Sequence, residues 1–162
     1  MIRGLAAFSA RGLDGAAATA VTLSNGNASF TVPTLPVSGA HKLTIAYAGQ
    51  GNYAAATTLT ESFTTAPGQP QLLIISSSYY LAAGSPIMLS VTASTPQSGV
   101  PPGSVTFYDN GAALGSAPIG SNGVATYPVA SIPKGTHTYT AKYAATANYA
   151  AATSDGATVT AH

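Results

Sequence analysis

Two histidines are the residues of this sequence best suited to chemistry, because an imidazole can bind a metal or act as a general base. His41 lies in GAHKLTIAY and His137 lies in GTHTYTAKY, two similar strings. A metal site or a catalytic base would need a second histidine, a cysteine or a carboxylate close by. Each string offers one histidine, where a strand begins after a turn. We therefore predict that His41 and His137 are structural and tie the turn to the strand.

The carboxylates are too scattered to indicate a site. A calcium site in a β module needs several oxygen ligands, usually clustered acids, and a nucleophilic hydroxyl needs a base and an orienting group beside it. Asp109 stands in Tyr-Asp-Asn-Gly and is predicted to be a turn residue. The absence of cysteine excludes thiolate metal sites. We therefore predict no enzyme activity, no cofactor and no metal site; the acids considered are Asp14, Glu61, Asp109 and Asp155.

The tyrosines are the other candidates for binding, because an aromatic face with a polar tip suits contacts with carbohydrate or protein. Tyr53 and Tyr149 recur at equivalent places of the repeat, which predicts packing positions. Tyr79, Tyr80 and Tyr108 have no counterpart, so they are the candidate ligand contacts.

An internal repeat determines which elements position these residues. Residues 135–162 repeat residues 39–66, so the chain is a tandem array. In residues 136–143 every second residue is Thr or Lys and the residues between them are His, Tyr or Ala, which predicts a half-buried strand. The inward residues are predicted to be His137, Tyr139, Ala141 and Tyr143, with His41, Leu43, Ile45 and Tyr47 as their counterparts.

Other short alternating segments are separated by turn sequences such as Asp109-Asn110-Gly111, and no long segment has a helical period. Pro128 cannot donate to a ladder, so its strand is predicted to lie at a sheet edge or to contain a bulge. Short strands at this spacing indicate an antiparallel sandwich.

The composition excludes several classes of partner. Charged residues make up 6% of the chain and the formal net charge is +1, which cannot form the basic stripe that nucleic acids require. No apolar segment approaches the ~20 residues of a membrane-spanning helix. No signal peptide is visible at the beginning of the sequence. The surface is expected to be rich in hydroxyl groups and nearly uncharged.

The two copies differ in completeness. Extending the repeat backwards pairs Gly12 with Gly111 and Phe8 with Phe107, and the first copy then has no counterpart for residues 70–102. We predict all-β architecture with two tandem Ig-like antiparallel β-sandwich modules, the first lacking its first two strands. The predicted ranges are 1–66 for the incomplete module, 67–69 for a linker and 70–162 for the complete module.

Four segments of the second copy carry a family resemblance: GSVTFYDNG, LGSAPIGSNGVATYPV, IPKGTHTYTAKY and ANYAAATS. They resemble the bacterial Ig-like repeat domains that form tandem arrays on large secreted or surface-anchored proteins. The resemblance covers residues 70–162 in full and residues 4–66 in part. It implies an Ig-like sandwich, an extracellular or cell-surface location and a spacer or adhesive role.

Three functions follow as hypotheses. The first is a non-enzymatic extracellular spacer, with further Ig-like modules as neighbours and the present sequence as a segment of a longer array. The second is a subunit of a surface filament, in which a strand of a neighbouring subunit fills the incomplete module; the donor would be residues 71–77 or the strand around Thr158–Thr160. The third is an adhesin module that binds carbohydrate or protein through its tyrosines.

Overall fold

The structure is a computed structural model that describes residues 7–11, 13–16, 19–22, 27–29, 31, 38–49, 52–96 and 99–162. Its described residues fall into two compact units, an N-terminal unit, Met1–Ala66, and a C-terminal unit, Pro67–His162. Strands dominate both, and the one helical element among the described residues is a short 3-10 turn, Leu13–Gly15. The prediction of an all-β protein is therefore confirmed.

The described residues of the N-terminal unit form one antiparallel sheet. Its four strands have the order β2-β1-β3-β4. The predicted strand β3 extends over nine residues, but its burial alternates only around His41, residues 43–47 are all half-buried, and a bulge lies between Ile45 and Tyr47 opposite β4. The strands are β1 (Ala7–Arg11), β2 (Thr19–Thr22), β3 (Gly39–Tyr47) and β4 (Ala56–Thr65).

The C-terminal unit contains two sheets. The smaller has the order β10-β7-β5, and the larger has the order β6-β13-β11-β8-β9, with β12 paired to β11. Every pairing of named strands in this unit is antiparallel except the parallel pair β6–β13. The strands are β5 (Gln71–Ser76), β6 (Tyr80–Leu81), β7 (Ile87–Ser94), β8 (Ser104–Asp109), β9 (Ala112–Pro118), β10 (Val124–Val129), β11 (Gly135–Tyr143), β12 (Ala152–Thr153) and β13 (Ala157–Ala161).

The core of the C-terminal unit lies between these sheets and follows the predicted alternation. Along β7 every second residue is buried, and the same holds for the central strand β11. The burial of apolar side chains from both sheets is the main stabilising contribution, roughly 25 cal/mol per Å² removed from water. The largest fully buried side chains are those of Tyr139, Phe107, Leu89, Ile132, Val91, Val105, Val159 and Pro101.

The turns and the sheet edge also agree with the sequence. Asn110 and Gly111 join β8 to β9 with positive φ values of 45° and 86°, as a tight hairpin requires. Pro128 lies in β10, which is an edge strand of the smaller sheet, so the edge prediction is confirmed. Gly68, inside the predicted linker 67–69, accepts a backbone hydrogen bond from Ala150 (2.9 Å) and donates one to Asn148 (2.8 Å).

The predicted equivalence of Phe8 with Phe107 is wrong by two residues. Phe8 pairs with Tyr47 in the β1–β3 ladder. Tyr143 is the repeat equivalent of Tyr47, and it pairs with Val105 in the β8–β11 ladder. Phe8 is therefore equivalent to Val105. Gly12, which the sequence pairs with Gly111, lies outside the described residues. The turn after β1 contains the 3-10 segment Leu13–Gly15, which makes it longer than the two-residue turn after β8 and displaces the alignment.

Candidate functional site

A buried histidine–aspartate pair lies at one end of the larger sheet in the C-terminal unit. The Nδ1 atom of His137 is 2.6 Å from Oδ2 of Asp109, and its Nε2 atom is 3.0 Å from the carbonyl oxygen of Pro133. His137 begins the buried face of β11, and Asp109 ends β8 at the hairpin. The imidazole thus connects the turn before its own strand to the end of the neighbouring strand.

Both contacts of His137 are made to acceptor groups. An ionised carboxylate and a peptide carbonyl can only accept hydrogen bonds. The Nδ1–H of His137 therefore donates to the Asp109 carboxylate, and the 2.6 Å separation is short for such a bond.

The N-terminal unit contains a matching pair made by different residues. The Nδ1 atom of His41 is 2.7 Å from Oδ2 of Asp14, and the other carboxylate oxygen of Asp14 accepts a bond from the backbone N–H of Lys42 at 2.9 Å. In the C-terminal unit the equivalent backbone bond, from Thr138, goes to the side chain of Asn110 at 3.0 Å. Asp14 alone thus makes the two contacts that are divided between Asp109 and Asn110 in the C-terminal unit.

The environment of Asp14 changes its acidity. The hydrogen bond to His41 and then the bond from the Lys42 N–H hold the pKa of Asp14 below its ordinary value of 3.8. The Asp14 side chain is 44% exposed, against 20% for Asp109. Solvent therefore screens the N-terminal pair more than the C-terminal pair.

Asp14, His41 and Thr65 have the connectivity of a hydrolase triad, because Nε2 of His41 is 3.0 Å from the Thr65 hydroxyl. Two observations favour a structural explanation. The hydroxyl already accepts a bond from the Gly39 N–H at 3.2 Å and donates to the Gly39 carbonyl at 3.4 Å. The repeat also places Ala161, which has no hydroxyl, at the equivalent position in the C-terminal unit, where His137 keeps its aspartate partner.

Sequence reasoning missed Asp14 and Thr65. The usable signal was the separation between acid and histidine, which is 27 residues for Asp14–His41 and 28 for Asp109–His137. The alignment of Phe8 with Phe107, which is two residues out of register, concealed it. Asp109 is, as predicted, at a turn, but its carboxylate accepts from the histidine ring rather than serving the turn alone.

Two polar atoms near the C-terminal pair have no hydrogen-bond partner among the described residues: the hydroxyl of Tyr139 and Oδ1 of Asp109. Tyr139 stacks on His137 with a centroid distance of 6.0 Å. Burial, and then the negative charge of Asp109, raise the pKa of Tyr139 to about 12. The phenol therefore remains neutral, and its hydroxyl contributes an uncompensated desolvation cost.

The three candidate tyrosines do not form one platform. Strands β13 and β11 lie between β6, which carries Tyr80, and β8, which carries Tyr108. Tyr80 is 69% exposed and stacks on His162 at 4.4 Å, whereas the Tyr108 ring lies 4.8 Å from the ammonium of Lys142. The hydroxyl of Tyr79 accepts a bond from the Ser76 N–H at 3.3 Å.

Tyr149 and Tyr53 share a position in the repeat but not an environment. Tyr149 is partly buried against the core cluster, and its ring lies over Gly68. Tyr53 is 75% exposed, so the prediction of a packing role fails for this residue.

The described ranges contain neither a metal-binding cluster nor a membrane-spanning helix. No group of three or more His, Asp or Glu side chains there could hold a metal ion. No helix in those ranges is long and apolar enough to span a bilayer.

Comparisons with known proteins give one family and one structural neighbour. The family model described as bacterial Ig-like domain (group 3) matches residues 74–162. No curated protein sequence matches the chain. Among solved structures, the chain is similar to the fibronectin(III)-like modules of Clostridium thermocellum CbhA, with a TM-score of 0.43 and 12% identity over 99% of this chain and 82% of that chain. The family match spans more than half of the 162 residues.

Proposed function

Because the chain belongs to the bacterial Ig-like domain family (group 3), we propose that it is a non-enzymatic extracellular spacer whose C-terminal unit bears tension. Domains of this family are typically extracellular and fit a structural or adhesive role. The proposal includes the organisation predicted from the sequence: a complete sandwich in residues 70–162, and a first module in residues 1–66 that lacks the strands equivalent to β5 and β7.

The observation that carries the proposal is the parallel pairing of β6 with β13. Thr160 donates to the Tyr79 carbonyl at 2.9 Å, His162 donates to the Leu81 carbonyl at 3.1 Å, and Ala83 donates to the His162 carbonyl at 2.9 Å. Tension that enters near Pro67 and leaves near His162 pulls these two parallel strands in opposite directions. The hydrogen bonds between them are then loaded together in shear, whereas an antiparallel hairpin opened from its end breaks them one pair at a time.

Single-molecule force spectroscopy tests this role. Pulling residues 67 and 162 apart should give a defined unfolding force and a contour-length gain of about 300 Å for the 96 residues of the C-terminal unit (162 − 67 + 1). The matched control pulls on cysteines introduced at Gln71 and Ser94, which pair at one end of the antiparallel β5–β7 ladder. The chain has no cysteine of its own, so both handles are unique.

We expect the 67/162 geometry to require the higher force, because it loads the β6–β13 bonds in shear. Equal forces in the two geometries would contradict a load-bearing role for the parallel pair. A C-terminal unit that unfolds without any defined force would contradict the spacer function itself.

A filament subunit is the second candidate, and the surface of β4 favours it. Leu59 and Phe63 lie on the same side of the sheet as Ile45 and His41, and they are 52% and 37% exposed. A strand or sheet from a neighbouring subunit could cover this side. The donors suggested by the sequence are already paired inside the C-terminal unit, since β5 pairs with β7 and β13 pairs with β11 and β6. Donation would therefore require one of them to leave its sheet.

Negative-stain electron microscopy of the full chain distinguishes the two candidates. Regular fibres that disappear in Phe63→Lys but persist in Met88→Lys would support complementation through the N-terminal unit. Isolated particles at every protein concentration tested would contradict it. An adhesin role has weaker support, because two strands of the larger sheet separate Tyr80 from Tyr108.

A further inference from the structure

Strand β5 exposes an unprotected edge of the smaller sheet. It is the outer strand on one side of that sheet, and β10 is the outer strand on the other. Natural edge strands usually carry a charge, a proline or a bulge that prevents pairing with another chain. Residues 62–108 contain no Asp, Glu, Lys, Arg or His, and the ladder from Gln71 to Ser76 is regular.

The edge on the β10 side is different. Pro128 interrupts the donors of β10, and Tyr127 donates a hydrogen bond to the Leu114 carbonyl of β9 at 2.8 Å. That contact connects β10 to the other sheet. Among the long outer strands of the sandwich, β5 is therefore the one that combines an apolar sequence with no side-chain hydrogen bond to the other sheet in the described residues.

The hydrogen-bond pattern identifies the backbone groups on the β5 edge. Ser77 donates to the Met88 carbonyl at 2.9 Å, which marks a hydrogen-bonded pair. In an antiparallel ladder such pairs alternate, so Ile75 and Leu73 also bond to β7. The N–H and C=O groups of Leu72 and Ile74 point away from β7, and no other described residue pairs with them.

The side chains of β5 give the same edge an exposed apolar surface. Leu73 and Ile75 are 64% and 50% exposed on the outer face of the sheet, and Met88 of the neighbouring strand is 44% exposed. The inner face is already used, because Ile74 is buried in the core of its own unit. A partner that fits this edge must supply both backbone groups and apolar side chains with the same spacing.

We propose that the partner is a second copy of this chain, joined by antiparallel pairing of β5 with β5 around a two-fold axis at Ile74. In this register Leu73 faces Ile75 of the second copy, and Ile75 faces its Leu73. Leu72 then lies opposite Ser76, whose N–H exchanges its long 3.3 Å bond to the Tyr79 hydroxyl for the Leu72 carbonyl of the second copy.

Self-complementarity is what selects a second copy as the partner. A shift by one pair would place Leu73 opposite Leu73 and Ile75 opposite Gln71, which leaves one apolar pair on the outer face instead of two. The two smaller sheets become one continuous six-stranded sheet in the proposed register. Because this contact is isologous and closes on itself, it gives dimers rather than fibres, and its failure would leave the spacer and filament proposals unaffected.

Cysteine crosslinking of the full chain tests the register. On the free side of β5, Leu73 and Ile75 of the second copy form a non-hydrogen-bonded pair with Cα atoms about 4.5 Å apart, within the range that a disulfide spans. A mixture of Leu73→Cys and Ile75→Cys chains should therefore form a covalent dimer under mild oxidation. Leu73→Cys alone and Ile75→Cys alone should crosslink at least about tenfold less.

Met88→Cys is the matched control, because it lies on the same face but not on the edge. It should not crosslink above the level of the single variants. Crosslinking of Leu73→Cys with itself as efficiently as in the mixture would overturn the proposed register. Crosslinking of Met88→Cys to the same extent would overturn edge pairing in favour of contact between sheet faces.

Analytical ultracentrifugation of the cysteine-free chain provides an independent measurement. The wild-type chain should show a reversible monomer–dimer equilibrium. The double substitution Leu73→Lys/Ile75→Lys should weaken dimerisation at least about tenfold by placing like charges across the axis. A mixture of that variant with Leu73→Glu/Ile75→Glu should dimerise again. A strictly monomeric wild-type chain, or no recovery in the mixture, would overturn the proposal.

Discussion

Both units contain a histidine–aspartate contact and the same order of four strands, but the described residues on the inner face of the sheet differ in burial. In the C-terminal unit a second sheet buries Tyr139 and Tyr143 to 0% and 2% exposure. In the N-terminal unit the equivalent Leu43 and Tyr47 are half-buried, and Phe63 on β4 is exposed. The comparison shows that the histidine–aspartate contact and the strand order repeat, while the described side chains on this face of the N-terminal sheet are less deeply buried than their C-terminal equivalents.

Glu61 is a further difference between the two units. It pairs with Leu43 and lies on the same side of the sheet as Phe63, at the position that the repeat gives to Ala157. Ala157 is buried in the C-terminal unit. A carboxylate is costly to bury without a partner, so this position of the N-terminal sheet differs in kind from the buried Ala157 position.

The largest difference should come from truncating equivalent tyrosines. Tyr143→Ala removes a buried ring and the hydrogen bond from its hydroxyl to the Pro102 carbonyl (2.9 Å), which should cost about 3–5 kcal/mol. Tyr47→Ala, at the equivalent half-buried position, should cost about 1 kcal/mol. Urea unfolding monitored by residue-resolved NMR measures both. Equal costs would contradict the difference in burial.

The two histidines should differ next. His137→Gln leaves the Asp109 carboxylate with one partner fewer in a mostly buried site, which should destabilise the C-terminal unit by about 2–3 kcal/mol. His41→Gln should have a smaller effect, because water reaches Asp14. The double variant His137→Gln/Asp109→Asn should recover part of the loss, since no unpaired charge remains. Denaturant midpoints of the three variants test this; a double variant as unstable as His137→Gln would contradict the ion-pair interpretation.

Lowering the pH should weaken the contact between Asp14 and His41 in the N-terminal unit. The folded-state pKa of Asp14 lies below its ordinary value, so its contribution is fully present above about pH 4 and is lost as the pH falls through the folded-state value. Side-chain carboxyl chemical shifts of Asp14 should therefore titrate below those of an unstructured aspartate. Asp14→Asn should remove this part of the acid sensitivity, and Glu61→Gln, as the exposed control in the same unit, should not.

The smallest effect should come from Tyr139→Phe. Its hydroxyl has no partner among the described residues, so removal loses no hydrogen bond and relieves a desolvation cost. We expect a change of about 0–1 kcal/mol in the stabilising direction, measured as a shift in denaturant midpoint. A loss of more than about 1 kcal/mol would indicate that the hydroxyl has a partner in solution.

The sequence was a good guide wherever a residue's environment depends on local alternation. The buried faces of β7 and β11 follow from period two, and the edge position of β10 follows from Pro128. It was a poor guide where a contact depends on segments that are distant in the sequence. Asp14 meets His41 across 27 residues, through a turn whose length differs between the copies.

Tyr53 illustrates the same limit for burial. Its place in the repeat predicts packing like that of Tyr149, but a ring is buried only where another layer covers it. Tyr149 has the core cluster and Gly68 against it, and Tyr53 is mostly exposed.

Amide hydrogen exchange of the full chain tests the central proposal, that residues 70–162 form a complete sandwich and residues 1–66 lack the strands equivalent to β5 and β7. The account predicts that amides of β7, β8, β11 and β13 exchange at least about 100-fold more slowly than those of β1, β3 and β4. This follows because the C-terminal strands open only when their core is lost. Equal protection in the two units would contradict the claim and would mean that another layer covers the N-terminal sheet in solution.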